Sequence, residues 1–394
     1  MTNPIRIAAT LALLLILSAC PNPKHNRTTS PHRAYYYWQT NAGNFHWQDS
    51  TYKALRIDKL YVRFFDVDWN PEANAPAPVS TINLYYSDIP HDSTTIVPVV
   101  FITNNTFLNL DSTGVKQLAK NIHRKIIATV SSLWRFEAFD ASELPDNYWR
   151  GGTDPYGQKS KHFNQLQKKD SAYAARWAAI PEIQFDCDWT PRTRDRYFTF
   201  LKECRTLYTG KKLSSTIRLY PYAYPKEMGI PPVNRGMLMC YNAGDIKDPD
   251  TRNAIFDRKE IMAYLEKAEP YALPLDYALP TFEWAVVYRD GKLTNILPAA
   301  TLHNDYYQNY LTQPVDNRAT VTRDFVLGYT SNSPYLRQGD VIRFESPDIT
   351  EVRKVAEWLS KHNDNQEAVL SFYHLNKHDL HKYAPALEAM YSDF

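Results

Sequence analysis

The chain has 394 residues, 44% of them apolar, enough for one large domain or two ordinary ones. A formal net charge of +2 gives no strong pull toward nucleic acid or an anionic membrane surface, so no nucleic-acid partner is expected. The aromatic load is high, at 28 Tyr, 17 Phe and 9 Trp. Core packing accounts for most of it, but rings beside a groove would also suit the apolar face of a sugar.

Residues 1–19 carry a weakly basic start (Arg6) and an apolar run from Ile7 to Leu17. That run is short for a bilayer span and fits a signal peptide. Leu17-Ser18-Ala19-Cys20 resembles the lipobox of bacterial lipoproteins. The resemblance implies lipidation at Cys20, which becomes the mature N-terminus. With Pro21 and not Asp next, it implies outer-membrane retention within the cell envelope, so the expected membrane contact is the N-terminal lipid alone. Residues 20–33 then read as a polar, proline-containing tether. The remaining cysteines, Cys187, Cys204 and Cys240, show no metal or CxxC spacing and are expected to be buried free thiols.

Residues 34–394 alternate strand-like and helix-like segments. Strands are expected at Ala34–Gln39, Lys59–Phe65, Thr95–Ile102, Ile183–Asp188, Leu213–Tyr220, Gly236–Tyr241, Tyr271–Tyr277 and Ala368–Tyr373. Helical spacing of apolar residues marks Thr113–Leu133, and further helices are expected at Arg192–Leu207, Arg258–Lys267 and Ile349–His362. Eight strands with helices between most of them predict an α/β fold, a (β/α)8 TIM barrel. The surplus length falls in residues 137–176, polar and irregular, and 280–345, which opens as a strand–turn–strand around Asp290-Gly291. Both read as elaborated loops.

The stretch EIQFDCDWT places Gln184, Asp186 and Asp188 on one face of the fourth strand, with Ile183, Phe185 and Cys187 on the other. The polar face is expected to look into the barrel and toward its C-terminal mouth, where barrel enzymes carry their chemistry. Carboxylates roughly 7 Å apart on one strand repel, so one pKa is expected to rise. An acid kept protonated beside a charged partner is equipped for general acid catalysis. The structural alternative is a helix cap or a pairing with Arg192, Arg194 or Arg218.

Other candidates stand near strand ends. Asp66 and Asp68 could bond sugar hydroxyls or serve a turn. Asp276 or Glu283, the latter beside Trp284, could be an opposing carboxylate. Tyr241 and His374 could reach the mouth, and Trp38, Trp69 and Trp189 could be stacking platforms or rim packing. The acidic strand has no His at ligand spacing, and no P-loop or dinucleotide fingerprint occurs, so neither metal nor cofactor is expected.

Three motifs in order carry a resemblance. EIQFDCDWT is similar to the DxxDxDxE strand of chitinase-like family 18 glycoside hydrolases. GMLMCYN is similar to that family's M-x-Y-D strand, with Met239, Tyr241 and Asn242, and YALPLDY to its following apolar strand. The likeness is closer still to an uncharacterised group of secreted bacterial barrels with a Q-x-D-x-D strand and an early strand like Leu60–Val67. The resemblance implies a glycan ligand and carboxylate acid/base chemistry, with Asp186, Asp188 and Tyr241 at the reacting centre. In one register Thr190 stands where the family has its proton donor, implying an inactive carbohydrate-binding barrel. In the other, Asp188 is the donor, Asp186 supports it and Gln184 replaces an Asp, implying a hydrolase.

Overall fold

The computed structural model describes residues 32–84, 94–132, 176–328 and 333–394. The signal and lipobox segment, most of the tether and nearly all of the 137–176 insertion lie outside the described residues.

Eight parallel strands close into a barrel: β1 (His32–Tyr37), β2 (Lys59–Asn70), β3 (Thr95–Ile102), β4 (Glu182–Asp186), β5 (Lys212–Arg218), β6 (Arg235–Met239), β7 (Leu275–Pro280) and β8 (Val369–Tyr373). Each pairs with its chain neighbours, and β1 closes the ring by pairing with both β2 and β8. The expected (β/α)8 barrel is therefore present. Parallel strands are covered on both faces, which is why they read as near-continuous apolar runs such as TIVPVVFI and AVLSFY. His32 and Arg33, expected in the tether, are the first residues of β1.

The outer layer includes α1 (Ser112–Ser132), α2 (Arg194–Leu207), α3 (Arg258–Leu265), α4 (Ile349–His362) and α5 (Lys377–Asp393). Helix α2 buries Tyr197, Phe200, Leu201 and Cys204, one stripe at helical spacing. Phe200 meets the outward-facing Phe185 of β4 edge-on, ring centroids 5.0 Å apart. Cys187, Cys204 and Cys240 are buried free thiols, as expected.

Two boundaries differ in ways that matter for the site. The seventh strand was expected over 271–277 but runs over Leu275–Pro280, because Pro274 cannot donate to a ladder and the strand starts after it. The fourth ends at Asp186, so Cys187 to Pro191 turn outward instead of continuing the pleat. Residues 280–345 build more than a hairpin. Trp284–Arg289 and Lys292–Pro298 pair antiparallel around Asp290-Gly291, both at positive φ (51° and 71°), the conformation a two-residue hairpin turn requires. Val341–Glu345 and Arg318–Thr320 extend this to four strands with a separate apolar cluster that includes Val287, Leu302, Phe325 and Ile342.

Candidate functional site at the barrel mouth

The barrel interior is polar and layered. At the N-terminal end Lys59 pairs with Glu182 (3.1 Å) and Arg235 with Asp276 (3.1 Å), all four buried. Ser214 donates to Glu182 (2.6 Å) and receives the Gln184 amide (3.3 Å), whose oxygen accepts from Tyr36 (2.6 Å). These bonds satisfy groups that would be costly to bury alone. They also place two expected ligand contacts elsewhere. Gln184 faces inward as expected but is a fully buried strut. Asp276 sits at the closed end, because its strand starts four residues later than expected. Burial pushes the Asp276 carboxyl up to about 7, with Arg235 opposing.

Above this layer lie the paired acids. Asp186, the last residue of β4, is buried, and its Oδ1 accepts from Thr216 of β5 at 2.6 Å. Burial first, then the Asp188 charge, push its carboxyl up to about 6, against the pull of Arg218. The expected rise thus falls on Asp186. Asp188 meets Arg218, the last residue of β5, in a two-pronged pair: Nε to Oδ1 at 2.5 Å and Nη2 to Oδ2 at 3.1 Å. Its side chain is 46% exposed, and that of Arg218 32%. Burial works against the guanidinium charge, but Asp188 and Asp186 outweigh it and hold the proton more firmly than usual. A fork-to-fork pair of this kind fixes the orientation of the carboxylate. Asn104 donates to the Asp188 carbonyl and accepts from Thr193 (2.7 Å), which locks the backbone. Thr190 is exposed and turned toward Thr193 (3.2 Å) at the start of α2.

Asp188 and Arg218 face an open cleft of about 430 Å³, whose walls include Tyr220, Tyr241, Asn242, Asp245, Tyr264 and Trp284. Tyr241 stacks on Tyr373 (5.2 Å, 20°), and its hydroxyl donates to Met239 Sδ at 3.2 Å. Burial, reinforced by Tyr373, raises its pKa well above the usual phenol range, so it stays neutral. Asn242 adopts φ 54° and is exposed at the wall. The Trp284 indole nitrogen donates to Glu345, which anchors the ring against the inserted sheet.

The other predicted residues divide. Trp38 lies at the mouth, against Tyr373 (5.5 Å) and under the Arg63 guanidinium (5.3 Å), and is half-buried. Arg63 also pairs with Asp66, so that carboxylate is engaged within β2. Asp68 accepts from Thr103 (2.6 Å) and from the Trp69 amide (2.8 Å), a structural role, and Trp69 is half-buried against the core. Trp189 is no platform: it is buried, stacked on Tyr197 (5.7 Å), with its indole donating to Met228 (2.9 Å). The early end of β4 turns it into the helical layer. Glu283 points away from the cleft toward α5, where Lys382 holds it at 2.9 Å. His374 is packed beside Phe282, and burial drives its pKa down to about 4. Sequence reasoning missed Thr216, Tyr220, Tyr264, Asp245 and Tyr373. The positions of Thr216 beside Arg218 in β5 and of Tyr373 at the end of β8 were the available signals.

No family model and no curated protein matches the chain. Among solved structures it is similar to a chitinase from Chromobacterium violaceum (11% identity, TM-score 0.42, covering 92% of this chain and 98% of that one). It is similar also to the C-terminal domain of a putative chitinase from Desulfitobacterium hafniense (8%, 0.47, 92% and 100%). A third is the spore cortex-lytic enzyme SleL of Bacillus cereus (13%, 0.40, 93% and 75%).

Proposed function

We propose that this protein is a glycan-binding barrel of the cell envelope, held there through Cys20, which recognises its ligand at the C-terminal mouth without cleaving it. The observation that carries this reading is the Asp188–Arg218 pair facing the cleft. A glycosidase needs a carboxylic acid that carries a proton and can reach the glycosidic oxygen. In one register of the family resemblance that place belongs to Thr190, which has no acidic proton and turns to Thr193. In the other it belongs to Asp188, both of whose carboxylate oxygens already accept hydrogen bonds from the Arg218 guanidinium. A fixed carboxylate and guanidinium, flanked by tyrosines and Trp284, suit sugar hydroxyls and ring faces instead.

One observation favours a second reading, hydrolysis with reversed roles. Burial first, then the Asp188 charge, push the Asp186 carboxyl up to about 6, the direction an acid beside a second carboxyl needs. The two readings separate on one series. Glycans are screened for binding to wild type, and each ligand found is incubated and assayed for cleavage. Recognition alone predicts no products from wild type and weaker binding by Asp188→Asn. Hydrolysis predicts products whose rate falls by about 10²–10⁴ in Asp186→Asn; that result would replace the first reading.

A further inference from the structure

Away from the cleft, Glu283, His378 and Asp379 bring three ligand-type atoms within 4.8 Å of one another. Glu283 follows β7, and the other two open helix α5. His378 Nδ1 lies 3.0 Å from Asp379 Oδ1 and 3.6 Å from Glu283 Oε1. The remaining oxygen of each carboxylate is already held. Lys382 donates to Glu283 Oε2 at 2.9 Å, and Asn376 donates to Asp379 Oδ2 at 2.5 Å. Both carboxylates therefore present one oxygen to the same point, oriented by an outer donor, as carboxylate ligands of metals are.

The second observation is independent of the clustering. Glu283 Oε1 is buried and makes no hydrogen bond, on a side chain only 9% exposed. Burying a carboxylate oxygen unpartnered costs free energy comparable to a lost charged hydrogen bond. That oxygen faces His378, whose ring is 57% exposed and leaves an approach from solvent.

We propose that Glu283 Oε1, His378 Nδ1 and Asp379 Oδ1 form a binding site for a divalent transition ion of the Zn2+ class, with water completing the coordination. At Zn–N and Zn–O lengths of roughly 2.0–2.2 Å, tetrahedral ligand atoms stand about 3.4 Å apart. The His378–Asp379 hydrogen bond (3.0 Å), which an ion would replace, and the His378–Glu283 separation (3.6 Å) bracket that distance. One His and two carboxylates form a hard-to-borderline donor set, suited to Zn2+ over a soft ion such as Cu(I). The ion would tie the segment after β7, from which the inserted sheet grows, to the last helix. The site does not depend on the glycan reading, and its three residues are 96 positions apart in sequence at the extreme, which hides them from spacing rules.

The test is Zn2+ titration of the full chain by calorimetry, with metal content after dialysis and thermal unfolding with and without Zn2+. Wild type should retain one equivalent and unfold at a higher temperature when Zn2+ is present. Glu283→Gln and His378→Ala should each lose the equivalent and the thermal shift. Co2+ absorption of wild type, which needs no variant, should show visible bands of a four-coordinate N/O site. Wild type that keeps no equivalent and gives no such bands would overturn the site, as would an equivalent retained by both variants.

Discussion

Asp186→Asn should make the protein more stable at neutral pH and leave it unchanged in acid. The carboxyl moves from 3.8 to about 6 in the fold, chiefly because it is buried. At 1.36 kcal/mol for each tenfold, ionising it in the fold costs about 3 kcal/mol more than in the unfolded chain. The sign follows from proton binding: the folded state holds this proton more tightly. The stability Asp186 contributes is thus fully present below about pH 4 and is lost as pH rises through about 6. Asparagine carries no charge at any pH, and its amide oxygen can still accept from Thr216, which now bonds Oδ1 at 2.6 Å. The variant should exceed wild type by about 2–3 kcal/mol at pH 8 and by nothing measurable at pH 3.5. Urea unfolding of both proteins across that range reads the difference directly. A gap that does not widen with pH, or wild type the more stable at pH 8, would refute the account of a strained buried acid.

Three further outcomes are expected. Arg218→Met removes the charge that pulls Asp186 down, so the Asp186 midpoint, read by carboxyl carbon NMR, should rise above about 6; an unmoved midpoint would show the guanidinium does not act on it. Trp189→Ala should cost about 3–5 kcal/mol in urea unfolding, as loss of a buried ring does, while the folded protein binds glycan as before; altered specificity would return Trp189 to the site. Cys20→Ser should abolish lipid labelling and release the protein from membranes, and retention unchanged would remove the anchor.

The barrel was legible because covered parallel strands have a plain signature, an apolar run bounded by turns and followed by a helical stripe. Thr95–Ile102 and Ile349–His362 match their expected bounds. The shared face of Gln184 and Asp186 followed from strand pleat alone. Height in the barrel did not. Asp276 was placed at the mouth and lies at the opposite end, because where a strand begins decides which end an acid occupies, and Pro274 set that point. Nor could pleat predict where β4 stops, which sent Trp189 outward. That the rise falls on Asp186 was open too, since it rests first on how deeply that carboxyl is buried, which the pleat does not show. The helix α5 went unread because Pro385 interrupts its pattern.

The central claim is that Asp188 and Arg218 hold a glycan that the barrel leaves intact. Calorimetric titration of a screened glycan into wild type and Arg218→Met, with the cell contents then weighed by mass spectrometry, tests it most directly. The account predicts one site in wild type, affinity at least about tenfold weaker in Arg218→Met, the loss of one charged hydrogen-bonded contact, and a glycan of unchanged mass. Equal affinity in the two proteins, or glycan fragments in the wild-type cell, would contradict it.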